Sequence, residues 1–212
     1  MTDFEEDIYC REMGVIRKRY YRIYYRARQW WGKTVTISVS EAEELALHFR
    51  LLIEGVVLAG AHSVAKEHPD IFEKIKDEWN LTNIIKILER GDVLCLPSPV
   101  SIFYENNSVK FNIIKNDSIE KSEWTRIHGI MSNILHRRHM LYNFGDLENI
   151  LNEIIIFLPR IRSCLRKHAI YVKTKNGMKL IVCEMHFHKA KSVFCRTYRM
   201  TRSDKIEETN LL

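Results

Sequence analysis

The sequence predicts a mainly α fold, an antiparallel helical bundle with a small C-terminal β-hairpin or three-stranded sheet. Three observations predict it. Only four prolines and eight glycines interrupt 212 residues, which leaves long stretches free for helices. Apolar residues recur at helical spacing over most of those stretches. Near the end the period changes to that of strands around Asn176-Gly177, a dipeptide suited to a type I′ turn.

The first expected element covers residues 4–31. Tyr9, Met13, Ile16, Tyr20, Ile23, Ala27 and Trp30 recur there in alternating steps of four and three, and Gly32 ends the run. Thr34–Val39 reads as an extended connector. Ser40-Glu-Ala-Glu43 reads as a capping box opening a second helix to about Ala65. His68-Pro69 starts a short third helix. Asn80 or Thr82 caps a fourth, which closes near Arg90-Gly91. Cys95-Leu-Pro-Ser-Pro99 reads as a loop. Ser101–Tyr104 and Val109–Ile114 form a small hairpin at the edge of the bundle. A fifth helix starts at Ser118 or Ser122 and ends near Leu141. A sixth covers about 147–168, capped by Gly145-Asp146, with Pro159 kinking or splitting it. Ala169–Val172, Met178–Cys183 and Ser192–Tyr198 supply the strands. Four regions result: a basic amphipathic helix (1–33), the bundle (34–168), the hairpin region (169–199) and a polar, flexible tail (200–212).

Composition narrows the setting. The chain is 46% hydrophobic, enough for one sizeable core. No apolar run reads as long enough to cross a bilayer. Met1-Thr-Asp-Phe-Glu-Glu-Asp7 is acidic and lacks the apolar core of a signal peptide. A cytoplasmic protein that does not use a membrane is expected. Cys10, Cys95, Cys164, Cys183 and Cys195 are odd in number and scattered, so free thiols are expected. Cys183, His186, His188 and Cys195 have ligand chemistry, but a strand turns Cys183 away from the two histidines. No metal or cofactor is expected. No Gly-rich phosphate loop, Gly-x-Ser-x-Gly motif or pair of carboxylates stands out.

The formal charge is +6, and the excess is uneven. Arg11, Arg17, Lys18, Arg19, Arg22, Arg26, Arg28 and Lys33 fall in one stretch. Lys18, Arg22 and Arg26 form a ridge at i, i+4, flanked by Tyr21, Tyr24, Tyr25 and Trp31. Cations for phosphates and aromatic faces for bases suit RNA or single-stranded DNA. Arg17, Lys18, Arg19, Arg22, Arg26 and Arg28 are therefore candidate nucleic-acid contacts. An amphipathic helix with solvated arginines, or a dimerisation arm, satisfies the same pattern.

Arg50 and Glu54 interrupt the apolar run Leu45–Ala59. At i, i+4 they face the same way, and charges in such a helix need pairing. They serve either to set the register of the bundle or to hold a polar site. The fifth helix carries Arg126, His128, Ser132, Asn133, His136, Arg137, Arg138 and His139.

Arg-x-x-x-Glu on one helix, a late helix ending in a Leu-His-x-Arg corner, and Arg160-Ile161 through His168 leading into strands with Glu184-Met185 resemble the HEPN superfamily over residues 40–190. The resemblance is closest to bacterial members associated with genome defence. It implies an antiparallel bundle, an anti-phage or toxin–antitoxin setting with an antitoxin or defence-complex partner, and a homodimer. For active members it also implies metal-independent RNA cleavage by an Arg-x4-6-His motif. Histidine would move protons and arginine would offset charge on the phosphate. The fifth helix departs from that motif. Arg162-Ser-Cys-Leu-Arg-Lys-His168 has the nearest spacing. The candidate catalytic set is Arg50, Glu54, His136, Arg138, Arg162 and His168. The alternatives are a non-catalytic nucleic-acid-binding module and a protein-interaction subunit.

Overall fold

The computed structural model describes residues 4–30, 37–78, 80–91, 93–105, 108–136, 144–174, 177–187 and 193–200. Its helices are α1 (Phe4–Arg28), α2 (Val39–Val64), α3 (Pro69–Ile75), α4 (Leu81–Arg90), α5 (Lys121–His136) and α6 (Phe144–Arg166). Its strands are β1 (Leu94–Glu105), β2 (Ser108–Ile113), β3 (Lys167–Thr174), β4 (Gly177–Met185) and β5 (Val193–Met200).

The predicted stripe of α1 is its buried face, from Tyr9 through Met13, Ile16, Tyr20 and Ile23 to Ala27. It packs along α2 and against β5. The cap of α2 sits two residues earlier than the sequence reading placed it. Ser38 Oγ accepts the Glu41 N–H at 3.3 Å, and the Glu41 carboxylate accepts the Ser38 N–H at 3.0 Å. The spacing Ser38-x-x-Glu41 satisfies the same box and lets Val39 and Ser40 join the helix. Over Val39–Ser63, α2 is long and apolar enough by length and composition to cross a membrane. That corrects the expectation that no run is. More than half of that window is buried inside the protein. Asn80 caps α4 by accepting the N–H groups of Thr82 and Asn83. The α6 helix continues through Pro159, which is exposed, where a kink or a split was expected. Residues 34–36 of the connector, the end of the fifth helix beyond His136 and the tail from 201 lie outside the described residues.

The mainly α expectation with a hairpin or three strands is wrong. The sheet has five antiparallel strands in the order β2-β1-β3-β4-β5. The predicted edge hairpin and the predicted C-terminal strands are one sheet, joined where β1 pairs with β3. The segment read as a loop, Cys95–Pro99, is the first half of β1. Its prolines concealed the strand. Proline has no N–H for a ladder, but β1 shifts register against β3 between Leu94 and Ser98, and such irregularities accommodate it.

The sheet has two different faces. His168, Ile170 and Val172 of β3, with Ile181, Cys183 and Met185 of β4, turn toward the helices. Val100, Phe111, Ala169, Tyr171, Leu180 and Val182 form a second cluster on the opposite face. Curvature buries this second face. β2 and β5 are the two edges, yet the rings of Phe111 and Tyr198 have centroids 4.9 Å apart. In a flat sheet those strands would lie about 19 Å apart at ~4.8 Å per step. The sheet therefore curls into a half-barrel.

Gly177 opens β4 at φ 138°, a region essentially reserved for glycine. Gly177→Ala is expected to cost about 1–3 kcal/mol, measured by urea denaturation, with an unchanged far-UV spectrum.

Candidate functional site

The side of α1 opposite its buried stripe carries Arg11, Val15, Lys18, Arg22, Tyr25 and Arg26, all exposed. Tyr25 is 60% exposed and stacks on Tyr21 at 5.8 Å and 19°. The six basic candidates divide here. Arg17 donates to the His186 carbonyl at 2.9 Å and lies over the Tyr21 ring. Arg19 donates to the Leu51 carbonyl at 2.8 Å, fastening α1 to α2. These two are engaged in the fold. Lys18, Arg22, Arg26 and Arg28 reach solvent, and Arg26 lies 3.7 Å from Glu44. Beside them, His48 of α2 is held below its ordinary pKa by burial and by the charge of Arg22, with Glu44 opposing.

Arg50 and Glu54 sit on the flank of α2 that faces α5. Arg50 Nε donates to Glu54 Oε1 at 2.7 Å, and each side chain is 21% exposed. The pair is thus half-buried, and it has a third member. His128 Nε2 lies 2.9 Å from the same Glu54 oxygen. A carboxylate only accepts, so His128 donates from Nε2, and Nδ1 takes no part in this contact. Burial would raise the Glu54 pKa, but the bonds from His128 and Arg50 outweigh it and hold the carboxyl low. Arg50 is neutralised by Glu54, so its charge is already spent. The sequence reading named His128 on the fifth helix but left it out of the catalytic set. Only the pairing of α2 with α5 brings it to Glu54.

Arg162 and His168 do not form a site together. Arg162 lies over the Phe187 ring at 5.7 Å. His168 is fully buried on β3. Its Nδ1–H donates to the Leu165 carbonyl at 3.0 Å, and its Nε2 accepts the Tyr9 hydroxyl at 2.7 Å. Both nitrogens are used, and burial pushes its pKa down to about 4. Acid–base work by His168 at the surface is excluded by that position. His136 ends α5, and its side chain lies outside the described residues, as does Arg138. Arg126 grips Glu153 through two bonds of 3.0 and 3.1 Å, and Arg160 grips Glu123. These pairs hold α5 to α6.

Cys10, Cys164, Cys183 and Cys195 are free thiols. Burial pushes the Cys10 and Cys164 pKa values up to about 12, so both stay as thiols. Among the described residues, no group of three or more His, Cys, Asp or Glu is placed to hold a metal ion.

Comparison with family models, with curated proteins and with solved structures finds no match.

His168 makes stability depend on pH in a defined direction. Its native pKa of about 4 lies below the unfolded value of ~6.5. Between these values the unfolded chain binds a proton that the native protein refuses. Stability is therefore complete above pH ~6.5 and is lost as pH falls toward 4, by about 3 kcal/mol for this group. Denaturant curves across that range should show His168→Gln less stable at neutral pH and flatter with acidification.

Proposed function

We propose that the protein binds nucleic acid, with the exposed side of α1 against the phosphate backbone. The observation that supports this is the division of the arginines. Arg17 and Arg19 are committed to carbonyls, while Lys18, Arg22 and Arg26 stand outward beside an exposed Tyr25. A cation spent on a carbonyl serves packing, whereas the Arg26–Glu44 pair at 3.7 Å is a surface pair that contributes little and can exchange for phosphate. Three cations on one helix face, one turn apart, can neutralise neighbouring phosphates and release their counterions on binding. RNA is the nucleic acid that the HEPN resemblance implies.

A second reading concerns cleavage. His128 is half-buried, oriented by Glu54, and has one ring nitrogen outside that contact. This arrangement suits a general base on an RNA 2′-hydroxyl. Arg50 does not supply a free cation, so any charge at the phosphate would have to come from elsewhere.

Affinity for a short RNA should fall steeply with salt. Replacing Lys18, Arg22 and Arg26 together by Gln should weaken binding and reduce the salt slope by ~2–3. An unchanged slope would exclude α1 as the contact surface. For the second reading, labelled RNA is incubated in EDTA. Cleavage by the wild type that is lost in His128→Ala supports it, and intact RNA in both rejects it.

A further inference from the structure

We infer that the face of β5 turned away from the helices, where the curled sheet stays open at Phe194, seats an unstacked nucleobase, so that the nucleic acid bound is single-stranded. This rests on the reading that α1 binds nucleic acid. The strand alternates cleanly. Val193 and Cys195 pack toward the helical core, and Phe194, Arg196 and Tyr198 share the opposite face. An aromatic, a cation and an aromatic thus stand in line along an edge strand.

That face borders a recess of about 80 Å³ lined by Ile102, Val182, Glu184, Phe194, Arg196 and Tyr198. Its position follows from the register. β3 begins only at Lys167, opposite Glu184, whereas β1 continues to Glu105 paired with β2. The far half of β1 therefore has no strand on its β3 side, and the recess lies in that gap. Lys167 Nζ holds Glu184 at 2.9 Å. Tyr198 is fixed by Phe111. Phe194 is braced edge-on by His186 at 5.9 Å, yet it remains 55% exposed. A large apolar ring held open to water in this way is a stacking surface.

Each wall suits one part of a nucleotide. The Phe194 ring offers a face for a base, Glu184 offers an acceptor for its N–H edge, and Arg196 offers a cation for phosphate. The recess is small, about 80 Å³, and takes the edge of one ring and not a whole nucleotide. In a duplex the base faces are hidden by stacking, so only a single strand can present one. Charge points to the same occupant. From Met185 to Ser203 the chain has no Asp or Glu, while Lys189, Lys191, Arg196, Arg199 and Arg202 lie within that stretch.

The test is fluorescence anisotropy with a labelled oligouridylate, the matching oligodeoxyuridylate, and a duplex of equal length. The proteins are the wild type, Phe194→Leu, Phe194→Tyr, Arg196→Gln and the Lys18/Arg22/Arg26 triple Gln variant. Phe194→Leu should weaken single strands about 10-fold and leave the duplex within about twofold. Phe194→Tyr should restore binding. Equal losses on both single strands indicate stacking on any base. A loss confined to oligouridylate adds a 2′-hydroxyl contact and makes RNA the ligand. Because Phe194 is exposed, the thermal midpoint should not move. If Phe194→Leu binds single strands as the wild type does while the triple variant does not, β5 is excluded and α1 stands. If the wild type binds none of the three probes, both readings fall.

Discussion

The structure turns on the hydrogen-bonded imidazole of His168. The α6 helix ends at Arg166 and β3 begins at Lys167, with no loop between them. A helix end leaves carbonyls without partners, and here Leu165 in the last turn is buried. His168 Nδ1–H takes the Leu165 carbonyl, and Nε2 takes the Tyr9 hydroxyl. One side chain thereby ties the last turn of α6, the first residues of the central strand, and α1. Lysine or arginine there would bury a charge, and an apolar residue would leave Tyr9 and Leu165 unsatisfied. Every strand is placed relative to β3, so this joint positions the whole sheet beneath the helices.

From that joint the positive charges separate into two populations. One population is internal to the architecture. Arg19 links α1 to α2, Arg17 links α1 to the end of β4, and Arg126 and Arg160 link α5 to α6. Each finds a carbonyl or carboxylate and so contributes to packing. The other population, Lys18, Arg22 and Arg26 on α1 and Arg196 on β5, stays at the surface, where Arg26 meets Glu44 only in an exposed pair and Arg196 bonds Tyr198. Cations left at the surface are the ones available to a polyanion. The Arg50–Glu54–His128 group falls between these populations. It is closed on two of its sides and leaves one ring nitrogen outside its contacts.

Much of this was legible in the sequence. The stripe of α1, the Pro69 start of α3, the Asn80 cap of α4, the antiparallel pairing of β3 with β4 and the strand after Ser192 all follow from local patterns. Local pattern failed where tertiary pairing decided the outcome. Cys95–Pro99 reads as a loop because prolines oppose strands, and only its pairing with β3 makes it one. His168 reads as surface chemistry by its spacing from Arg162, because nothing local reveals that Tyr9 covers it. His128 was named on the fifth helix, but only setting α5 against α2 gives it Glu54 as a partner. The alternation of Phe194, Arg196 and Tyr198 was present in the sequence. Its meaning depended on knowing that β5 is an edge and that the sheet curls.

The most direct test of nucleic-acid binding is photo-crosslinking. A single-stranded oligonucleotide carrying 4-thiouridine is irradiated with the wild-type protein, and the adducts are mapped by mass spectrometry. The account predicts adducts on α1 near Tyr25 and on β5 at Phe194. Adducts confined to other surfaces, or none at all, would contradict it.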